Sequence, residues 1–206
     1  MTALSREVPI DPAHATFLII DVQNYCAGPV SGKTEYFRRN LHDTVLPNIR
    51  RLQAACRSGG IEVMYSVIEN MTGDGRDRSL DYKISGIDVP RGSWEAQILG
   101  EIAPAEDEMI FRKTSSSVFI STNIDYVLRN LGARSLIIAG LMSDQCVESA
   151  VRDACDLCYL VTLVADGCTT VSAERHEQSL VGIRGYCRQR TADALVAEIV
   201  GLTQSH

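Results

Sequence analysis

Short apolar runs rich in β-branched residues alternate along the chain with longer stretches in which apolar residues recur every three or four positions. The run Ala15–Ile20 is uninterrupted and ends at Asp21, as expected of a strand covered on both faces. Over residues 35–58, Phe37, Leu41, Val45, Ile49, Leu52 and Cys56 keep helical spacing, and Gly59-Gly60 supplies the stop. Pro47 falls inside that helix and predicts a bend. Further strands are predicted over residues 61–68, 108–112, 136–139, 159–165 and 186–189. Helices are predicted over 121–131, 143–157, 172–182 and 191–200. This alternation implies right-handed crossovers and a doubly wound α/β domain over residues 1–206, with a mainly parallel sheet and helices on both faces. No internal repeat or linker divides it. In such a sheet, ligands are expected beyond the carboxyl ends of the strands.

Three residues of that edge carry candidate chemistry. The predicted strand ending near Ala139 runs through Gly-Leu-Met-Ser-Asp-Gln into a helix whose first turn holds Cys146. Val147, Ala150, Val151 and Ala154 form the inward stripe of that helix, and Ser143 or Asp144 is expected to cap it. Free amides and the dipole at a helix start favour a thiolate and stabilise an oxyanion. A buried core cysteine is the plain alternative. Asp21, at the end of the first strand, is the candidate base that takes the thiol proton and returns it to a leaving amine. Lys113 directly follows the third strand, where its charge would compensate both partners. Either residue alone reads equally well as a turn or loop residue; together, at matching strand ends, they point to a site.

Composition narrows the classes further. The chain has 206 residues, a formal net charge of −6 and no Lys/Arg stripe, so nucleic acid and anionic membranes are not expected partners. No apolar run approaches the ~20 residues of a membrane span, and the first residues lack a signal-peptide pattern. A soluble, cytoplasmic protein is expected. Seven cysteines spread over a full-sized domain fit reduced thiols better than a disulfide framework, and Cys155-Asp-Leu-Cys158 reads as the end of a helix. His14, His42, His176 and His206 show no ligand spacing, so no metal is expected, and the chemistry outlined needs no organic cofactor. The run Gly73-Asp-Gly-Arg-Asp-Arg78 is incomplete as a calcium or phosphate loop and reads as a flexible lid.

The segments Leu18-Ile-Ile-Asp21-Val-Gln-Asn24, Phe111-Arg-Lys113-Thr-Ser-Ser-Ser-Val-Phe119 and Ala139-Gly-Leu-Met-Ser-Asp-Gln-Cys146-Val, with Arg152-Asp-Ala154, resemble the isochorismatase-like cysteine hydrolases over nearly the whole chain. The resemblance implies a six-stranded parallel sheet and an Asp21, Lys113, Cys146 triad. It also implies a cis peptide at Leu141-Met142, an oxyanion hole from the Met142 and Cys146 amides, and a homodimer or homotetramer. Isochorismate-hydrolysing members typically lack the cysteine, so Cys146 implies cleavage of a C–N bond. Nicotinamidases carry metal-binding histidines after the second strand, where this chain has none. Residues 69–83 look instead like those of ureidoacrylate and biuret type amidohydrolases. The implied substrate is a small ureido, carbamoyl or amide compound, with Glu69 accepting from its amide and Gln23, Asn24 or Tyr25 holding the remainder. Arg76, Tyr82 and Lys83 are candidates for a substrate carboxylate. A nicotinamidase-like or other small-amide hydrolase is the nearest alternative. A noncatalytic interaction protein on the same scaffold, or a redox protein using Cys146 and the Cys155/Cys158 pair, is an alternative of another class.

Overall fold

A computed structural model describes residues 5–28 and 33–203. Its six strands are β1 Ala15–Ile20, β2 Glu62–Ile68, β3 Met109–Lys113, β4 Ser135–Leu141, β5 Leu160–Thr169 and β6 Arg188–Arg190. All pair in parallel in the order β3-β2-β1-β4-β5-β6. Strand order reverses beside β1, so a crevice opens beyond its carboxyl end, between β1 and β4. The helices are α1 Asn24–Ala27, α2 Glu35–Asn40, α3 Leu46–Ser58, α4 Leu80–Ile84, α5 Val118–Ser121, α6 Ile124–Asn130, α7 Glu148–Asp156, α8 Ala173–Ile183 and α9 Ala192–Thr203.

The period-2 alternation of the strands divides the core. Phe17, Ile19, Val63 and Tyr65 pack with Phe37, Ile49, Leu52 and Leu195 of α2, α3 and α9. Leu18, Ile20 and Met64 pack on the other face with Ile124, Leu128, Val151 and Ile183 of α6, α7 and α8. The continuous apolar run of β1, buried at every position, is the consequence of this double cover.

Pro47 is accommodated by more than a bend. The predicted helix is continuous from α2 to α3, but Leu41–Val45 winds as a π-turn that ends two residues before the proline. Proline has no N–H for the preceding carbonyl ladder, and a widened turn absorbs that mismatch. β5 is longer than predicted, reaching Thr169, and its pairing with β4 shifts register between Ile138 and Gly140. Gly140 sits at φ 128°, and a Cβ there would lie 2.1 Å from the Ile20 carbonyl oxygen. Only glycine lets β4 approach β1 so closely, just before the residue that follows β1, Asp21.

Residues 70–79 are tied down rather than loose. Asp77 accepts from the Met71 amide at 2.8 Å and the Thr72 amide at 3.1 Å, while Arg78 donates to the Gly75 and Ile87 carbonyls at 2.9 Å each. Cys158 occupies the left-handed position after α7 at φ 73°, so the Cys155/Cys158 pair does mark a helix end. No helix among the described residues is long and apolar enough to cross a membrane.

Candidate active site

Three strand ends deliver three buried side chains to one point. Asp21 follows β1 in the left-handed region, φ 54°, with its amide donating to the Ser66 carbonyl at 3.0 Å. That turn lifts the carboxylate out of the strand's pleat, at a cost that aspartate bears more easily than most residues. Lys113 ends β3, in register with Ile68 of β2. Cys146 lies in a π-turn, Ser143–Val147, that follows β4 and runs directly into α7. The Leu141-Met142 peptide is cis.

Asp21 and Lys113 are both fully buried, with Lys113 Nζ 2.8 Å from Asp21 Oδ2. An ammonium has three protons to donate. Those of Lys113 are shared between Asp21 Oδ2 and three further acceptors, the Tyr82 hydroxyl at 2.8 Å, the Ser115 carbonyl at 2.9 Å and Cys146 Sγ at 3.3 Å. Asp21 Oδ2 therefore shares the ammonium with three other acceptors, in a contact that is an ion pair as well as a hydrogen bond. Asp21 Oδ1 is held by the Ser66 hydroxyl at 2.8 Å. One carboxylate oxygen is anchored by Ser66 and the other by Lys113, which also meets the thiol.

Burial acts in opposite directions on the pair's partners. It disfavours the Lys113 ammonium, but the charges of Asp21 and Cys146 outweigh it and hold the lysine above its ordinary pKa. Burial pushes the Cys146 thiol up to about 11, with Lys113 pulling down and Asp21 adding to the rise. Desolvation thus works against the thiolate that a helix start and Lys113 favour, and a base beside the thiol offsets that cost. Ser143 and Asp144 do not cap the helix. Met142 holds the cap position without a side-chain bond, and the Ser143 hydroxyl instead pairs with His176 Nδ1 at 2.7 Å.

Tyr82 is the functional neighbour that sequence reasoning placed wrongly. It was a candidate for binding a substrate carboxylate; it is buried, donates to the Ser115 carbonyl at 2.8 Å and lies 3.7 Å from Cys146 Sγ. Burial and the neighbouring Cys146 and Asp21 charges raise its phenol's pKa, so it stays neutral. The other two candidates of that segment turn away: Lys83 donates to the Arg76 carbonyl at 2.8 Å, and Arg76 pairs with Asp74 at 3.1 Å on the surface.

A cavity of about 390 Å³ opens over Cys146, lined among others by Tyr25, Cys26, Ile68, Tyr82 and Met142. Tyr25 and Met142 therefore meet Cys146 there, whereas Gln23, Asn24 and Glu69 do not line it. Gln23 is buried and bridges backbone, receiving from Ile68 N at 2.6 Å and donating to the Ile68 and Glu95 carbonyls at 2.9 and 3.0 Å. Asn24 donates to the Trp94 carbonyl at 2.8 Å. Glu69 accepts from the Gly92 amide at 2.7 Å and pairs with Arg112 on the far side of β2 and β3. Strand alternation is the reason: Ile68 and Lys113 point to Cys146, so their neighbours Val67, Glu69 and Arg112 point away. Among the described residues no group of three or more histidine, cysteine or acidic side chains is placed to hold a metal. His206 lies outside the described residues.

A doubly wound sheet with a buried carboxylate, ammonium and thiol at its switch point defines a class of α/β enzyme. The chain belongs to the isochorismatase family, whose domain model matches residues 15–197. It is 27% identical over 186 residues to the ureidoacrylate amidohydrolase RutB of Caulobacter segnis, covering 81% of this chain and 77% of that protein. A cysteine hydrolase from Pseudomonas syringae pv. phaseolicola superposes with a TM-score of 0.86 at 22% identity, covering 98% of this chain and 99% of the other. N-carbamoylsarcosine amidase from Thermoplasma acidophilum does so at 0.73 and 20% identity, covering 87% and 96%.

Proposed function

We propose that this protein is a cysteine-dependent amidohydrolase that cleaves a C–N bond of a small ureido, carbamoyl or amide compound. The reading is carried by one observation: Asp21, Lys113 and Cys146 are buried together, with Lys113 Nζ 2.8 Å from Asp21 Oδ2 and 3.3 Å from Cys146 Sγ. In this reading Asp21 takes the Cys146 proton as Sγ attacks the carbonyl carbon, and the oxyanion rests on the Met142 and Cys146 amides. The C–N bond breaks as Asp21 returns the proton to the leaving nitrogen. Asp21 then deprotonates a water that attacks the thioester or thiocarbamate, releasing the acid or carbamate and restoring the thiol. Lys113 stays charged throughout and orients both partners. Ser66 and Tyr82 fix the carboxylate and the ammonium.

The cost of the cluster speaks against a noncatalytic scaffold. Buried ion pairs are often replaceable by apolar residues at no loss of stability, so a binding module has no use for this one. The ureido class is supported by the likeness to a ureidoacrylate amidohydrolase and by the cavity mouth, which offers Lys33 to an acid group and Asp81 and Gln145 to amide hydrogens. Seven free thiols suit a cytoplasmic setting, and a homodimer or homotetramer is the proposed working form, to be read by light scattering.

The test is ammonia release from biuret, ureidoacrylate, N-carbamoyl amino acids, maleamate and nicotinamide, each with and without exhaustive chelation. The highest kcat/KM is expected on a ureido compound and is expected to survive chelation. Turnover confined to nicotinamide and abolished by chelation would return the nicotinamidase reading; no turnover on any amide would return the noncatalytic one.

A further inference from the structure

Helix α8 lies against the turn that carries the nucleophile and grips it with three side chains. His176 Nδ1 meets the Ser143 hydroxyl at 2.7 Å. The Ser179 hydroxyl lies 2.9 Å from the Ser143 carbonyl oxygen and 3.0 Å from Oε2 of Glu148, the first residue of α7. Arg175 pairs with the Asp144 carboxylate. Residues 175, 176 and 179 fall within little more than one turn, so one side of α8 presents all three. Ser143 and Ser179 are buried, and burial holds the His176 imidazole below its ordinary pKa, so the ring is neutral near pH 7. Its N–H is taken by the Ala165 backbone of β5, which leaves Nδ1 to accept from the Ser143 hydroxyl.

The segment so gripped has an unusual winding. Ser143–Val147 forms a π-turn, a rare form that occurs mostly at functional sites. The Met142 carbonyl accepts from the Gln145 amide at 3.1 Å and from the Val147 amide at 3.2 Å. In a regular α-helix that carbonyl would take the amide four residues on, which is that of Cys146. The π-turn hands the bond one residue further, to Val147, and keeps the Cys146 amide out of it.

We infer that His176 is a positioning residue: through Ser143 it holds the π-turn in the winding that leaves the Cys146 amide available to an oxyanion. This rests on the amidohydrolase reading above, in which that amide stabilises the charge developing on the substrate oxygen. Without His176 the Ser143 hydroxyl, on a residue only 2% exposed, loses its partner. The turn is then free to relax toward the α-helical pattern, which ties the Cys146 amide to the Met142 carbonyl. Asp21 and Lys113 are bonded to Ser66, Tyr82, Ser115 and the thiol itself, so removal of the thiol proton does not pass through α8.

Two reactions of Cys146 separate the roles. Acylation by p-nitrophenyl acetate, in which Sγ displaces p-nitrophenolate from the acetyl carbon, passes through an oxyanion; alkylation by iodoacetamide does not. Both are followed on the full-length protein, the first as the p-nitrophenolate burst missing from Cys146→Ala, the second by mass spectrometry of the peptide holding Cys146. His176→Leu should slow acylation at least ~10-fold and leave alkylation within ~2-fold of the parent. Ser143→Ala breaks the same bond from its other end and should show the same split, with the double variant no slower than the slower single. His176→Asn puts a carbonyl oxygen near the Nδ1 position and should recover most of the acylation rate. Unchanged acylation in His176→Leu and Ser143→Ala, acylation and alkylation falling together, or no recovery in His176→Asn would each overturn the role given to His176. A parent that is alkylated but never acylated at Cys146 would instead overturn the amidohydrolase reading, and this inference with it.

Discussion

Replacing Lys113 by methionine probes both the energetics and the chemistry of the buried cluster. The substitution keeps the unbranched stem but removes an ammonium that lies 2.8 Å from a carboxylate, with both side chains fully buried. Asp21 is left with Ser66 Oγ, at 2.8 Å, as its remaining side-chain donor. Breaking one side of a buried pair costs about 3–5 kcal/mol. For a domain of this size each kcal/mol moves Tm by about 2–4 °C, so Lys113→Met should melt about 6–20 °C lower. Removing the charge on the other side as well changes the sign of the second step: Asp21→Asn added to Lys113→Met should recover most of the loss, because no buried charge is then unpaired. Neither variant should turn over substrate. Reversible thermal or urea unfolding of the two single variants, the double variant and the unmodified protein completes the cycle. A double variant destabilised by the sum of the singles would refute the coupling, and with it the compensating role given to Lys113.

Other expectations follow from the same geometry. With the thiol pushed up to about 11, iodoacetamide alkylation of Cys146 in the absence of substrate should still be accelerating at pH 9 and reach half its limit near pH 11; a plateau by pH 8 would contradict this. The unfolded thiol ionises near 9, below the folded value, so the contribution of Cys146 to stability is fully present below about pH 9 and is lost as pH rises through 11. Urea midpoints between pH 8 and 11 should show that fall, and it should shrink in Cys146→Ala. Gly140→Ala forces a Cβ to within 2.1 Å of the Ile20 carbonyl oxygen at φ 128°, so it should destabilise by more than 3 kcal/mol or prevent soluble expression. A melting temperature within a few degrees of the parent would show that β4 can retreat there.

The sheet was legible because burial on both faces writes itself directly into the sequence. The apolar runs of β1 to β5 and the intervening helical periodicity are enough to place Asp21, Lys113 and Cys146 on one edge, since each lies at a strand end or one turn beyond it; β6, Arg188–Arg190, is polar and leaves no such mark. What failed to be legible was the phase of side chains just beyond those ends. Glu69 lies one residue past β2, and only the pairing of Ile68 with Lys113 reveals that it faces away from the thiol. Tyr82 could not be found from spacing because α4 is five residues long and follows a loop whose path is set by side-chain bonds of Asp77 and Arg78 to its own backbone, which leave no periodic pattern. The alternation Tyr82-Lys83, with one residue apolar and one charged, was the available hint of which would turn inward. The desolvation of Cys146 was hidden for the same reason: a helix start is visible in sequence, whereas the depth at which it sits depends on how the loops close over it.

The central claim, that Cys146 carries the acyl group, is tested most directly by the turnover of Cys146→Ala. The residue is small and its neighbours Lys113 and Tyr82 keep their mutual hydrogen bond at 2.8 Å, so the variant should fold with a circular dichroism spectrum like the parent's. With the parent's best substrate, its ammonia release should fall by at least ~10⁴-fold at unchanged substrate affinity, because Asp21 and Lys113 have no thiol to activate. Release within ~10-fold of the parent by the folded variant would contradict covalent catalysis at this cysteine.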